Sequence, residues 1–442
     1  MKRRDFITSS ILAGGMLAFN GFNGDAKKPV KKSVSKTENT GFIAEPAKQI
    51  PILAKTDVVV VGGGPAGTAA AIAASRAGAN TYLIERYNHL GGLWTGGLVL
   101  PLLSTHGADK NKNKVQVIHG VGGEMAERLK KMGMSVHEVN PVVDPEAAKY
   151  LMDEMTTEAG VNVIYHAWCA GAVMSGKEIQ GVFIESKSGR QAVLAKVVID
   201  CTGDGDVFNW AGEDYDELKY FIGLNHRLGN TDRINTSAPG YKKLGIGEET
   251  PLPGVLWCNM MGENDQCATD VLNLSRLQKK FRKQIWESTE EIRKTPGYEQ
   301  VYLLDTASQI GVRNSRILHG VYQLTQEDTM TFKSFDDVIG ISGAWVTTSY
   351  NGNNVSSKER PYWQIPYRSL LPQNIDNLIV AGRCFCYEKD LREDARVIGT
   401  CLVTGQGAGA AAAIAVKNHE LPRNIDINKL HRLLVEQNVW FG

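Results

Sequence analysis

The chain has 442 residues, 43% of them hydrophobic and 22% charged, enough for two domains with substantial cores. Lys and Arg total 49 against 48 Asp and Glu, so the formal charge of +1 gives no electrostatic basis for a nucleic-acid partner or an acidic membrane surface. Seven cysteines and nine histidines fall in no zinc-like spacing, and no metal is expected.

Residues 1–26 read as a targeting segment that stands outside the fold. Lys2-Arg3-Arg4-Asp5-Phe6-Ile7 resembles a twin-arginine export signal, and a weakly apolar run follows from Ile7 to Phe22. An ordinary secretory signal is the alternative. The run is shorter than the ~20 residues of a comfortable membrane span, and no later segment reads as transmembrane. A periplasmic or otherwise exported protein is expected. Residues 27–51, rich in Lys, Ser, Thr and Pro without periodicity, form a polar linker.

The strongest signal comes next. Thr56-Asp57-Val58-Val59-Val60-Val61 is a β-branched apolar run that feeds directly into Gly62-Gly63-Gly64-Pro65-Ala66-Gly67 and a small-residue helix. Strand, Gly-x-Gly-x-x-Gly turn and helix in that order form a dinucleotide-binding unit. Gly62 permits the tight turn, Gly64 lets backbone approach a pyrophosphate, and Gly67 lets helix and strand pack closely. The helix start offers free N–H groups to phosphate. Thr81 to Ile84 reads as a second strand ending in Glu85, placed for a ribose contact, with Arg86 beside it. Leu90-Gly91-Gly92-Leu93 then supplies two glycines where a side chain would collide with an extended cofactor.

Further along, a helical pattern spans Val115 to Gly133 inside an insertion near 105–143. Asp144-Pro145 starts another helix, and Val161 to His166 forms a strand. Trp168 to Val173 is expected on the adenine side, and Ser188-Gly189-Arg190 marks a hairpin. Ala195 to Asp200 is an apolar strand ending in Cys201-Thr202-Gly203-Asp204. Asn377 to Ala381 runs into Gly382-Arg383, and Thr404-Gly405-Gln406-Gly407 is read as the opening of a helix.

These elements resemble the glutathione-reductase-type FAD-binding superfamily: the glycine turn, the acidic strand end, the Gly-Gly step, the Thr-Gly element and the C-terminal strand and helix recur in that order. Val143-Asp144-Pro145-Glu146, Gly311-Val312-Arg313-Asn314-Ser315-Arg316, Ile365-Pro366-Tyr367-Arg368 and Arg396-Val397-Ile398-Gly399-Thr400 look like a bacterial family of FAD-dependent oxidoreductases, with fumarate-reductase flavoproteins as more distant cousins. The resemblance implies an α/β fold, a discontinuous Rossmann-like FAD-binding domain with an inserted α+β substrate domain. Residues 52–206 would form its first part, 207–364 the substrate domain, and 365–442 the second part with the C-terminal helices. It implies FAD held by Gly62, Gly64, Pro65, Ala66, Gly67, Glu85, Arg86, Gly91, Gly92, Leu93, Trp168, Thr202, Gly203, Gly382, Arg383, Gly405, Gln406 and Gly407. A noncovalent cofactor is expected, although His89 lies where fumarate-reductase relatives attach FAD. No cysteine pair follows the Gly-Gly step, and no second glycine fingerprint offers an NAD(P)H domain. Cys384 and Cys386 would share one strand face.

The segment Tyr387 to Arg396 should face the substrate cavity. Arg396 is the first choice for an anion clamp or proton donor, with Arg392 beside it. Arg313 and Arg316, taken as one helical turn apart, face the flavin or pair with Asp336 and Asp337. His106, or His119, is a candidate general base. The expected activity is oxidation or reduction of a small organic molecule at flavin N5, with electrons passing to a quinone-linked or other carrier. An electron-carrier subunit or binding module without its own substrate is the alternative.

Overall fold

Strand β1 (Ile52–Val61) forms where four consecutive valines, Val58–Val61, are each buried on both faces, the pattern of a central parallel strand. In the computed structural model, which describes residues 41–108, 113–331, 333–343, 348–350, 353–355 and 362–442, the chain turns from β1 into α1 (Pro65–Arg76) with Pro65 in the first helical turn. The proposed signal segment and most of the linker lie outside the described residues. Residues 41–50 carry no regular secondary structure, and 51–442 form one compact unit.

β2 (Thr81–Ile84) pairs parallel with β1, and β3 (Asn162–Ile164) pairs parallel with β2. Between them lie a short hairpin, His106–Ala108 with Lys114–Gln116, and two helices, α2 (Gly120–Lys131) and α3 (Pro145–Glu158). The helix expected from Val115 therefore starts five residues later, because 114–116 pair as strand. Asp144 caps α3 by accepting from the Ala147 N–H. β4 (Trp168–Ser175), β5 (Glu178–Ser186) and β6 (Gly189–Asp200) follow as an antiparallel meander, turning at Ser188-Gly189 as the hairpin signal requires. β6 runs parallel to β1 along the latter's length.

A second sheet is antiparallel: β7 (Lys219–Gly229) lies between β8 (Leu256–Cys267) and β9 (Tyr302–Thr306), with β10 (Gly311–Val312) also on β7. The 24-residue α4 (Val271–Lys294) packs on it through Leu277, Phe281 and Ile285, one buried stripe at helical spacing. This β-rich region is the insert.

The chain then returns. β11 (Val338–Ser342) pairs with β12 (Trp363–Pro366), and both join the main core rather than the insert's. They straddle the boundary drawn at 364–365. β13 (Leu378–Val380) lies parallel beside the end of β6, giving the parallel order β3-β2-β1-β6-β13. After a short helix, α5 (Arg392–Ala395), comes α6 (Ile398–Asn418), then α7 (Ile427–Glu436). α6 is apolar and long enough to cross a membrane by composition, yet its apolar window is wholly buried in the protein, so it is the core helix. Its glycines serve this packing: a Cβ on Gly405 would overlap the Ala66 carbonyl, and one on Gly409 the Ala70 carbonyl.

Candidate functional site

The carboxyl ends of the parallel strands bring the fingerprint together, the edge where open α/β sheets bind ligands. Gly62 has φ +97°, and a Cβ there would meet the Cys201 carbonyl oxygen at 2.5 Å; a Cβ on Gly67 would overlap the Gly62 carbonyl. Gly64 differs: nothing lies within 4 Å of where its Cβ would be. Two glycines therefore close the turn, and the third leaves room beside the N-terminus of α1, the space a phosphate requires. FAD fits this turn.

Glu85, 5% exposed, accepts from the Gly63 N–H at 2.6 Å and from the Tyr87 N–H at 2.8 Å. Each oxygen keeps further acceptor capacity for a ribose hydroxyl. The Gly-Gly step docks on the same turn, with the Gly91 N–H donating to the Gly63 carbonyl at 2.7 Å and Gly92 lying against Gly64. The Arg86 guanidinium stacks over the rings of Tyr87 and Trp168, at 5.0 and 4.9 Å. Gly382, φ +83°, sits against Ala66 and donates its N–H to the Thr404 hydroxyl.

Thr202 and Gly203 lead into a charge cluster that the motif reading passed over. Asp204 pairs with Arg383 at 2.8 Å and accepts from Ser315 at 2.6 Å. Arg316 holds the Asp204 carbonyl at 2.9 Å and Asp206 at 3.1 Å. Burial, with Asp204 and Asp200 nearby, pushes Asp206 up to about 6, against the pull of Arg316. Arg313 and Arg316 are not on a helix: Gly311–Val312 and Arg316–Leu318 are short strands, because Arg316, Ile317 and Leu318 pair antiparallel with Glu217, Asp216 and Tyr215. Their acidic partners are Glu393 and Asp206, not Asp336 and Asp337.

Three other expectations shift. Helix α6 opens at Ile398 with Val397 as N-cap, so its positive end lies at 398–400 and Thr404 to Gly407 fall inside it. Gly405 and Gly407 are spent on packing against Ala66 and Ile339. Gln406 is committed elsewhere, accepting from the Val121 N–H at 2.9 Å and donating to the Gln437 carbonyl at 3.2 Å. Cys384 and Cys386 lie in turns rather than on a strand, and both are buried in the apolar cluster behind β6.

Around the start of α6 the geometry is crowded. A Cβ on Gly399 would lie 2.6 Å from the Leu103 carbonyl oxygen, and one on Gly343 would lie 3.1 Å from the Ser104 carbonyl oxygen. The segment between carries strain: Leu98 (φ 48°) and Ser104 (φ 65°) are left-handed non-glycines, both buried. The Ser104 hydroxyl is fully buried and lacks a hydrogen-bond partner among the described residues, as do Asn225 Oδ1 and Asn314 Oδ1. Asn225 ties the insert to this segment, donating to the Gly97 and Leu98 carbonyls at 2.8 and 3.0 Å. Buried polar atoms left over beside a cofactor fold are groups available to a ligand.

His89 is buried against Thr95, Leu90 and Gln309, and burial pulls its imidazole below the ordinary range. His106 lies on the hairpin, 3.0 Å from the Thr105 hydroxyl, lowered by burial and by Lys114. His119 stands apart, its ring tilted against that of Trp440, and it lines a surface cleft of about 570 Å³ with Arg76, Gly120 and Glu436. Arg76 is at the far end of the 12-residue α1 from the glycine turn, so that cleft is separate from the fingerprint.

Arg396, at the end of α5, is ion-paired to Glu393. Arg392 stacks over Tyr220 at 4.8 Å and bonds the Lys389 carbonyl. Tyr220 and Glu393 join the insert to the segment before α6, a link across 173 residues that local sequence does not signal.

The family profile described as FAD dependent oxidoreductase matches residues 57–219 and 222–434. The chain is similar to a digeranylgeranylglycerophospholipid reductase of Methanosarcina acetivorans, 26% identical over 220 residues, 47% of this chain and 52% of that protein. It is also similar to a thiamine thiazole synthase of Saccharolobus islandicus, 29% identical over 181 residues, 38% of this chain and 62% of that protein. The chain thus spans about half the length of the first relative and under two thirds of the second. Among solved structures, a geranylgeranyl bacteriochlorophyll reductase-like protein of Thermoplasma acidophilum matches 87% of this chain and 84% of its own at 15% identity and a TM-score of 0.46. The discontinuous α/β fold, the two matched stretches and the glycine turn agree: this chain belongs to the FAD-dependent oxidoreductase family.

Proposed function

We propose that the protein is an exported flavoenzyme that oxidises or reduces a small organic molecule by hydride exchange, and that its substrate lies where the insert meets the segment before α6. The observation that carries the reading is the turn with open space at Gly64, facing Glu85 and the Gly91-Gly92 step at the strand ends. When bound, FAD supplies hydride exchange at its N5. The backbone of Gly62 to Gly67 and the start of α1 hold the phosphates, and Glu85 orients the ribose. The N–H groups at the start of α6 favour negative charge on the reduced cofactor. The insert, tied down through Asn225, excludes water. Export through Arg3-Arg4, electron exchange with a quinone-linked carrier, and kinship with fumarate-reductase flavoproteins belong to the same proposal and rest on the sequence motifs alone.

Anaerobic mixing of the holoprotein with candidate donors tests the reading. Bleaching by a small organic donor, slowed when its transferred hydrogen is deuterium, is the expected result. Bleaching by quinols or redox proteins and by no small organic donor would install the electron-carrier alternative instead.

A further inference from the structure

Between the insert and the segment before α6, two guanidiniums converge on a single carboxylate. Arg396 is paired to Glu393 Oε2, and Arg313 Nη1 approaches the same oxygen at 3.6 Å. The Tyr220 hydroxyl donates to the other oxygen, Oε1, at 2.5 Å. The side chains of Arg396 and Glu393 are each 18% exposed and that of Arg313 26%, so the charges stand largely out of water. Arg313 Nε and Arg396 Nε are buried without hydrogen-bond partners among the described residues. The Arg313 face is closed by the Phe221 ring, 4.6 Å from its guanidinium carbon. Burial opposes ionisation of Glu393, but Arg396 and Arg313 outweigh it and hold the carboxyl below the ordinary glutamate range. Burial and the neighbouring Arg396 lower Arg313.

These contacts set two partly buried cations against one anion and leave guanidinium donors unused. Burying like charges side by side is costly unless a further anion is bound there. An arginine fork is matched to a planar carboxylate. Arg396 lies two residues before α6, whose positive end also favours an anion. Arg313 and Tyr220 come from the insert, so the cluster lies at the seam where a substrate would enter.

We propose that Arg313 and Arg396 form a carboxylate-binding site, that the enzyme's substrate is an organic acid, and that Glu393 is an internal counter-ion that yields the guanidiniums to the substrate carboxylate. This rests on the flavoenzyme reading and narrows its substrate class.

The test is a titration of the oxidised holoprotein with C2 to C6 mono- and dicarboxylates and the matching uncharged amides. Flavin absorbance and thermal stability are both read. Carboxylates should perturb the flavin spectrum saturably and raise the melting temperature, whereas the amides should do neither. Arg313→Gln should weaken carboxylate binding by at least ~10-fold with flavin content unchanged. Arg313→Lys, which keeps the charge but loses the fork, should fall between. Glu393→Gln, relieved of the competing carboxylate, should bind the acids more tightly. Equal binding of acids and amides, no saturable carboxylate binding, or wild-type affinity in a folded Arg313→Gln overturns the proposal. If the purified protein holds no flavin, the flavoenzyme reading fails, while the thermal titration still reports on the anion site.

Discussion

At the scale of single residues, the legible part of the site was what local spacing dictates. Gly62, Gly64, Gly67, Glu85 and Gly91-Gly92 were readable because a turn, a strand end and a close approach each admit few residue types. The illegible part depends on groups distant in sequence. Nothing near Ser104 announces a buried, unpartnered hydroxyl on left-handed backbone, and nothing near Tyr220 announces Glu393. Ser104 yields a sharp expectation. Because its hydroxyl bonds to no group among the described residues, Ser104→Ala should leave the apoprotein as stable as wild type or slightly more so. If the hydroxyl serves the cofactor, the same variant should show a smaller rise in melting temperature on FAD binding and a shifted flavin potential. An unchanged FAD increment and potential would remove Ser104 from the site. His226, 7% exposed, supplies a second residue-scale expectation. Burial, against the opposing pull of Asp305, holds its imidazole down at about 4 from 6.5. Between those values the unfolded chain binds a proton that the native chain refuses, so this group costs stability as pH falls through the window. Asp206, raised to about 6 from 3.8, acts oppositely, its contribution weakening as pH rises from about 4 to 6. His226→Gln should therefore lose less stability than wild type on acidification from 6.5 to 4, read as urea midpoints. Parallel pH profiles would contradict the assignment.

At the scale of elements, the glycines of α6 show why a motif can be placed correctly and read wrongly. Thr404-Gly405-Gln406-Gly407 looks like a helix start because glycine is poor inside helices. The helix runs through it because α1 and α6 approach so closely that side chains at 405 and 409 have no room. The contact opposite is backbone, which cannot swing aside. Gly409→Val should destabilise the protein by about 1–3 kcal/mol, the usual cost of overpacking, and shift its denaturation midpoint accordingly. A wild-type midpoint would mean the two helices separate freely. The Arg313–Arg316 segment failed as a helix for a related reason: strand pairing with Tyr215–Glu217, remote in sequence, outweighs local spacing.

At the scale of the whole molecule, the doubly covered parallel sheet, the β-rich insert and the returning C-terminal half were legible as an order of motifs. The return at β12 was legible through Ile365-Pro366, but β11 was not, since it carries no motif and is recognised by the core it joins. The account's central claim is that this architecture exists to hold FAD on the Gly62 to Gly67 turn. Gly64 offers the most direct measurement. Its φ of −67° suits any residue, and a Cβ there meets no protein atom, so Gly64→Val should fold with the melting temperature of the apoprotein. The same methyl groups would fill the space the pyrophosphate needs. Flavin released by acid precipitation and counted per chain should be near one for wild type and near zero for a folded Gly64→Val. One flavin per chain in the variant, or none in wild type, would contradict the account.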